Sequence, residues 1–375
     1  MKVTEFVGLQ MFELSYLGIL AVLPFFVAQK YIGGFILSVL LLIGSYHVIR
    51  KYTYKAIGNN HGRSVLITGC DTGFGHAFAR RLDNLGFTVF ACVLNLDGEG
   101  AKTLQQSTSD KLHVIKVDVT KDQDVKGALD YVGKTIKQND IGLWAVVNNA
   151  GVNMTADVDF CTMEMYKRVA EINLFGTVRV AKAFLPLLRL TKGRVVNVSS
   201  VRGRCAFPVA SAYSMAKYGV EAFSDTLRAE MLKFGVKVIV VEPSNYGGAT
   251  GMLNDVWCQQ MEKDITSMWN EASNEVRNTY GQNYLHSLYE AGKSTAKTTY
   301  PTLIPVLDAM EDAIVNCSPR YRYLISGGNT LYDIYVVLAR LNGILPESWM
   351  DFIMARTLLS GLPPIQGVDT EANKS

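Results

Sequence analysis

The residues best suited to chemistry in this sequence are a serine, a tyrosine and a lysine at fixed spacing. Tyr213 and Lys217 are four residues apart, so they share one face of a helix, and Ser200 precedes Tyr213 by thirteen positions. A phenol is a good base only where positive charge stabilises its phenolate, which the Lys217 ammonium can do. Ser200 can donate a hydrogen bond to a substrate oxygen and stabilise its developing charge. Together these residues suit proton exchange with an alcohol.

Each of these residues also has an ordinary structural interpretation. A tyrosine four residues before a lysine is commonly a surface pair, and the Ser199-Ser200 step can simply end a strand. The catalytic interpretation therefore depends on the joint spacing and not on any single residue.

A glycine-rich segment is suited to hold the acceptor for the hydride. Thr68–Gly75 reads TGCDTGFG and follows a short apolar run. Its glycines allow a sharp turn and a close approach of the backbone to a pyrophosphate, which the N-terminus of the next helix stabilises. Glycines also mark ordinary turns, so it is the position directly after a predicted strand that favours dinucleotide binding.

Six short runs rich in branched and aromatic residues alternate with helix-length segments from Arg63 onward. The predicted strands are Ser64–Thr68, Phe87–Val93, Leu112–Val117, Leu143–Val147, Arg194–Ser199 and Val236–Val241, and the clearest helices are His76–Leu85, Lys121–Gln138 and Ala212–Phe234. Such alternation predicts an α/β fold with a Rossmann-type, doubly wound parallel sheet. Tyr321–Ile325 is a candidate for a last edge strand.

These motifs resemble, in type and order, those of the short-chain dehydrogenase/reductase family over residues 63–250. The glycine loop, Asn148-Asn149-Ala150-Gly151 after the fourth strand, and the Ser200, Tyr213 and Lys217 spacing carry the resemblance. It implies an oxidoreductase in which Asn173 is a fourth catalytic residue, holding a water that connects Lys217 to solvent. Asp118 then matches the acid that contacts adenine, with an ordinary loop or helix cap as the alternative. Pro243-Ser244 departs from the Pro-Gly usual after the sixth strand.

The cofactor expected from the sequence is NAD in preference to NADP. A 2′-phosphate usually requires an arginine or lysine at the end of the second strand or in the glycine loop, and neither place has one. The acid usual for NAD is also missing from the first position after that strand, although Asp97 is near. The predicted cofactor-binding residues are Thr68, Gly69, Asp71, Gly73, Phe74, Gly75, Asp118, Asn149, Ala150, Gly151, Tyr213, Lys217 and Pro243.

Composition excludes several other classes of protein. With 49% hydrophobic and 19% charged residues the chain is not disordered overall. Beyond residue 60 it carries 32 basic and 32 acidic side chains, so no nucleic-acid-binding surface is predicted. Its six cysteines and five histidines have no metal-like spacing, which predicts free thiols in a reducing compartment and no metal site.

The first sixty residues predict a membrane anchor followed by a linker. Sixteen uncharged residues separate Glu13 from Lys30, and nineteen more separate Lys30 from Arg50, about the length of a membrane-spanning helix. A cleavable signal peptide and a buried soluble hairpin are the alternatives, and one or two spans are compatible with the pattern. The basic residues after the second run favour a cytosolic catalytic part. The predicted location is the endoplasmic reticulum membrane, with a mitochondrial membrane as the alternative.

The remaining organisation follows from these assignments. Residues 1–60 form the anchor and linker, 61–250 the catalytic core, 251–360 a helical substrate lid and C-terminal extension, and 361–375 a flexible tail. The resemblance is greatest to a membrane-associated branch whose members act on steroids, retinoids and 3-hydroxybutyrate. It implies a lipophilic substrate, a steroid before a retinoid. A 3-hydroxybutyrate dehydrogenase and a catalytically silent binding protein are the alternatives, and a homodimer is compatible with the sequence.

Overall fold

The structure is a computed structural model that describes residues 38–39, 41–45, 56, 58, 60, 62–250, 255–297, 300–327, 333–363 and 365. The chain divides into two compact units, Met1–Ala56 and Ile57–Ser375. In the first unit, residues 38–39 and 41–45 are helical, and the rest of the predicted anchor lies outside the described residues. Within the described part of the chain, no helix is both long and apolar enough to cross a bilayer.

The second unit is built on a parallel sheet whose described strands number seven, in the order β3-β2-β1-β4-β5-β6-β7. The strands are β1 Arg63–Ile67, β2 Thr88–Val93, β3 Leu112–Lys116, β4 Gly142–Asn148, β5 Arg194–Val198, β6 Lys237–Pro243 and β7 Arg322–Ile325. All neighbouring pairs are parallel. The order reverses between β1 and β4, so the carboxyl ends of these two strands open onto the crevice where such folds bind ligands.

Helices cover both faces of this sheet. They are α1 Gly73–Asn84, α2 Glu99–Ser107, α3 Asp122–Gln138, α4 Met163–Ala170, α5 Gly176–Thr191, α6 Ser211–Met231, α7 Asp255–Glu271, α8 Asn274–Tyr280, α9 Tyr284–Lys297, α10 Ile304–Val315, α11 Ile334–Leu341 and α12 Glu347–Thr357. One apolar cluster joins α1, α2 and α10 to the first face, and a second joins α3, α5 and α6 to the other. The prediction of a doubly wound α/β sheet is confirmed.

The predicted strands and helices agree with the structure to within a few residues at their ends. The largest displacement of a helix start is in α1, which begins at Gly73 and not at His76. Gly73 has φ +62°, a conformation that a glycine adopts without strain, so the turn of the glycine loop and the first residue of the helix coincide. The expected edge strand is present as β7, paired with β6.

The chain beyond residue 250 has two structural roles. Helix α10 and strand β7 complete the sheet and its covering layer, whereas α7 and α9 pack over residues that follow β4. Arg168 on α4 donates two hydrogen bonds to Asp264 on α7, at 3.0 and 2.6 Å. The Tyr284 hydroxyl on α9 donates to Asp157 at 2.8 Å. These contacts fix the helices predicted to form a lid against the catalytic core.

Candidate active site

The glycine loop takes its shape from residues that follow the fourth strand. Thr68 Oγ1 accepts the backbone N–H groups of Asn149 and Ala150, at 3.0 and 3.1 Å. The Asn149 amide in turn donates to the carbonyls of Thr68 and Gly69, at 2.9 and 3.0 Å. These reciprocal bonds join Thr68 and Asn149. They position the backbone of the glycine loop at the edge of the sheet.

The loop also leaves the space that a pyrophosphate needs. A Cβ atom at Gly69 would lie 2.8 Å from the Ala150 Cα, and one at Gly75 would lie 2.3 Å from the Gly69 carbonyl oxygen. Only glycine fits at these two positions without moving the backbone. Helix α1 begins here, and no side-chain bond caps its first turn at Thr72. Its free N–H groups suit the phosphates of a dinucleotide, so the residues present fit such a cofactor.

Asp71 joins the glycine loop to the segment after β2. Its carboxylate accepts the N–H of Leu94 at 2.9 Å and the N–H of Asn95 at 3.2 Å. The loop after the second strand normally meets the adenosine ribose in a Rossmann fold. The structure thus places a carboxylate at that point, supplied by the glycine loop and not by the end of β2.

Asp118 lies at the end of the third strand, as predicted. Its carboxylate accepts the Thr120 N–H at 3.0 Å and the Thr120 hydroxyl at 2.7 Å, and Lys121 Nζ is 3.4 Å away. Burial alone raises the pKa of Asp118, but the bonds from Thr120 and the charge of Lys121 outweigh it and lower that pKa. Asp118 is therefore an anionic acceptor that the loop itself orients.

A cavity of about 830 Å³ runs along this edge of the sheet. Asp71, Asp118 and Gly151, all predicted cofactor-binding residues, line it, together with Met215 on α6. Its lining does not include Ser200, Tyr213 or Lys217. The cavity therefore joins several of the positions expected to bind the cofactor.

Ser200 begins a 3₁₀ turn, Val201–Gly203, at the carboxyl end of β5. Its hydroxyl donates to the Pro243 carbonyl at 3.3 Å and accepts the Arg202 N–H at 3.2 Å. The side chain is buried. Pro243 thereby fixes the Ser200 side chain from the end of β6, although the residue after Pro243 is Ser244 and not the usual glycine.

Phe74, another predicted site residue, packs against Tyr246 with 5.7 Å between ring centroids.

Tyr213 and Lys217 lie one turn apart on α6, as their spacing predicts. Lys217 Nζ donates to the Val198 carbonyl at 2.8 Å, which ties the helix to β5 two residues before Ser200. The same nitrogen lies 5.6 Å from the centroid of the Tyr213 ring. Lys217 is buried, and its bond to β5 holds the ammonium group beside the Tyr213 ring.

Asn173 lies in a π-helical turn, Glu171–Phe175, between α4 and α5. Its side-chain oxygen accepts the Val152 N–H at 2.8 Å, and its side-chain nitrogen donates to the Val152 carbonyl at 2.9 Å. A Cβ atom at Gly151 would lie 3.2 Å from the Asn173 oxygen and 3.8 Å from Lys217 Nζ. Asn173 thus positions the loop beside Lys217, and the water it is expected to hold stays a prediction.

Sequence reasoning missed one charged residue at this site. Arg202 lies two positions after Ser200, and its guanidinium carbon is 6.0 Å from the centroid of the Tyr213 ring. The sequence signal that could have found Arg202 was its position two residues after Ser200, on the turn that follows β5. Two cations, Arg202 and Lys217, therefore lie near the aromatic ring of the expected base.

This arrangement can exchange a proton with an alcohol and hold its oxygen in place. In such a reaction Tyr213 would supply the acid or base, Lys217 the positive charge that stabilises its phenolate, and Ser200 a hydrogen bond for the substrate oxygen. The glycine loop would provide the adjoining site for a dinucleotide. The structure brings all four predicted catalytic residues to the carboxyl ends of β4 and β5 and the helices beside them.

Comparison with known proteins agrees with this assignment. Residues 63–260 match the family model described as short chain dehydrogenase. The chain is 42% identical to the mitochondrial D-beta-hydroxybutyrate dehydrogenase of Bos taurus, over 76% of this chain and 83% of that protein. It is 40% identical to estradiol 17-beta-dehydrogenase 2 of Mus musculus, over 78% of this chain and 74% of that protein. It is 37% identical to retinol dehydrogenase 7 of Mus musculus, over 88% of this chain and 99% of that protein.

Among solved structures, the chain resembles a short-chain dehydrogenase from Streptomyces avermitilis. The TM-score is 0.55 at 22% sequence identity, over 80% of this chain and 98% of that one. At this identity the likeness concerns the fold alone.

Proposed function

Because the chain belongs to the short-chain dehydrogenase family, and is an alcohol/carbonyl oxidoreductase with a nicotinamide cofactor, we propose that it interconverts a secondary or allylic alcohol and its carbonyl with NAD. The observation that carries this proposal is the convergence of Ser200, Tyr213 and Lys217 beside a glycine loop shaped for a dinucleotide. A silent binding protein on the same fold has no need for that convergence.

The residues of the chain divide the reaction between them. A nicotinamide cofactor, when bound, would supply the hydride acceptor or donor. Ser200 donates a hydrogen bond to the substrate oxygen and holds it beside Tyr213. Tyr213 takes the hydroxyl proton in oxidation and returns it in reduction, while Lys217 stabilises the phenolate. Asn173 holds the Gly151–Val152 backbone in place next to Lys217.

The preference for NAD rests on Asp71. Its carboxylate accepts the N–H groups of Leu94 and Asn95, so it carries negative charge where the 2′-phosphate of NADP would come. Repulsion between the two anions would disfavour NADP, and the loop has no arginine or lysine to offset it. This placement supports NAD independently of the absence of a basic residue.

Replacing Asp71 with serine is expected to raise the ratio of kcat/KM for NADP to kcat/KM for NAD by at least about tenfold, because one like-charge repulsion is removed. Both KM values rise, since Leu94 and Asn95 lose their acceptor. Asp97→Ser is the matched control, because this exposed acid lies on the same loop and is the other candidate from the sequence. A larger shift in the control than in Asp71→Ser would transfer the role to Asp97.

Two classes of substrate have support from different observations. The two apolar runs within residues 1–60 favour a lipophilic alcohol such as a steroid or, next, a retinoid, because apolar molecules concentrate in a membrane. The cation Arg202 beside Tyr213 favours a hydroxy acid. The direct test compares kcat/KM for a hydroxysteroid, retinol and 3-hydroxybutyrate on one preparation with NAD. Turnover of none of them, with NAD bound, would contradict the proposed function.

We further propose that residues 1–60 anchor the enzyme to a membrane, the endoplasmic reticulum before the mitochondrion, with the catalytic unit on the cytosolic side. The length and apolar character of the two runs support this, and the boundary between the compact units falls after Ala56. The anchor would hold the site near a reservoir of apolar substrates.

Deleting residues 1–60 is expected to move the protein from the membrane fraction to the soluble fraction while NAD-linked activity stays within about threefold, because strand β1 begins only at Arg63. Membrane pelleting at high salt and alkaline pH, followed by an activity assay of the supernatant, measures both effects. A truncated protein that still pellets would show that another segment also binds the membrane.

A further inference from the structure

The Arg202 side chain carries a positive charge that the proposed reaction does not use. Arg202 lies on the turn after Ser200, and its backbone N–H is bonded to the Ser200 hydroxyl at 3.2 Å. Its guanidinium carbon lies 6.0 Å from the Tyr213 ring centroid. The Nη1 atom is buried and has no hydrogen-bond partner among the described residues. The backbone of Arg202 therefore contacts Ser200, and its guanidinium lies beside Tyr213, the two residues proposed to contact the reacting oxygen.

Arg202 shares its unpartnered nitrogen with other arginines but differs from them in position. Arg204, two residues further on, pairs with Glu242 at 3.3 Å, and Arg168 holds both oxygens of Asp264. Burying a guanidinium nitrogen without a partner costs free energy. Three other arginines also have one such nitrogen among the described residues: Arg63, Arg194 and Arg277. The position beside Ser200 and Tyr213 is therefore what distinguishes Arg202.

The described residues provide no carboxylate partner for the Arg202 guanidinium. The groups among them that act electrostatically on Arg202 are Tyr213 and Tyr335, and no Asp or Glu is included. Burial lowers the pKa of Arg202, and the two tyrosines act in the opposite direction.

We propose that Arg202 is a substrate-binding residue, and that the substrate is a hydroxy acid whose carboxylate lies a few bonds from the reacting carbon and pairs with this guanidinium. The proposal rests on the proposed function, because it takes Ser200 and Tyr213 to hold the reacting oxygen. One guanidinium matches one carboxylate in charge and can form two parallel hydrogen bonds with it.

A second role for Arg202 makes a different prediction. If the guanidinium only stabilised the Tyr213 phenolate, its removal would slow every alcohol equally and shift the pH profile of kcat for all of them. If it binds the substrate carboxylate, its removal raises KM for acids and leaves uncharged alcohols almost unchanged. Pairs of substrates that differ only in this charge separate the two roles.

The experiment uses the full-length protein with NAD and four substrates: 3-hydroxybutyrate, 3-hydroxyoctanoate and the methyl ester of each. Wild type is expected to prefer each acid over its ester by roughly 30-fold or more in kcat/KM, the effect of a buried charge pair. Arg202→Leu removes that preference, and Arg202→Lys restores part of it, because the charge is kept but the planar fork is lost. Arg340→Leu, at an exposed arginine on α11, is the matched control and keeps the preference.

Binding of butyrate to the NADH complex, measured by calorimetry, provides a readout that needs no turnover. Butyrate is expected to bind wild type and Arg340→Leu, and at least about 30-fold more weakly to Arg202→Leu. Equal acid and ester rates in wild type, or butyrate binding unchanged in Arg202→Leu, would overturn the inference and leave the alcohol oxidoreductase intact. If no alcohol is turned over, the proposed function fails, and the butyrate measurement still decides the role of Arg202.

Discussion

Replacing Tyr213 with phenylalanine is expected to lower kcat by about 1,000-fold or more while the affinity for NAD changes little. Only the phenolic oxygen is removed, and a positioned acid or base contributes about 100- to 10,000-fold. The ring stays between its two cations, with Lys217 Nζ 5.6 Å and the Arg202 guanidinium carbon 6.0 Å from its centroid. The Lys217 bond to the Val198 carbonyl also stays, so the helix keeps its place.

The measurement is steady-state oxidation of whichever alcohol in the substrate panel is fastest, together with NADH binding by fluorescence. Tyr131→Phe is the matched control, because this tyrosine lies on α3 far from the site and its hydroxyl contacts only His113 among the described residues, at 3.1 Å. The control is expected to keep kcat within about threefold. Activity of Tyr213→Phe within a few-fold of wild type would exclude Tyr213 as the acid or base.

The parts of this site that the sequence predicts are those built from neighbours in the chain. The four-residue spacing of Tyr213 and Lys217 defines a helix face, and the glycine loop is contiguous, so local geometry alone indicates their roles. The alternation of strands and helices predicts the sheet in the same way, because each element has its own hydrophobic period. The prediction of the parallel sheet is confirmed, and Tyr213 and Lys217 lie on one helix, α6, as their spacing predicts.

The rest depends on contacts between residues far apart in the chain. The bonds from Asp71 to Leu94 and Asn95 join segments more than twenty residues apart, and no local pattern indicates them. Arg202 resembles any surface arginine until its burial against Tyr213 is known. The sequence accordingly predicts few charged side chains that could bind a small anionic substrate. The structure places one cation, Arg202, beside Tyr213, the expected base.

Another long-range group of charges supports the end of the sheet behind the active site. Glu242 on β6 is fully buried, and Glu221 on α6 is almost so. Arg322 on β7 bonds to both carboxylates, at 2.7 Å in the case of Glu242, and also to Asp225 at 2.7 Å. Because Glu242 precedes Pro243, whose carbonyl accepts the Ser200 hydroxyl, this cluster lies next to the residues that fix the catalytic serine.

Burial, and next the charge of Glu242, raise the pKa of Glu221 above its ordinary value. A carboxyl whose pKa is higher in the folded state opposes folding at pH values above its unfolded pKa, and the cost disappears when the group is protonated. Arg322 offsets that cost at neutral pH. Removing Arg322 would therefore leave buried Glu221 without its ion-pair partner, at a cost that depends on pH, whereas Glu242 would keep its pair with Arg204.

Arg322→Met is expected to lower the free energy of unfolding of the catalytic unit by about 3–5 kcal/mol at pH 7, because buried Glu221 loses its ion-pair partner. The loss shrinks as the pH falls, because the pKa of Glu221 is raised and its protonation removes the charge that Arg322 offsets. Urea unfolding at a series of pH values measures both effects.

Arg320→Met, at an exposed arginine two residues earlier, is the control and changes stability by about 0.5 kcal/mol or less. Adding Glu221→Gln to Arg322→Met should recover much of the stability, since the charge left without a partner is then removed. A loss below about 1 kcal/mol, or one independent of pH, would show that solvent already compensates Glu221.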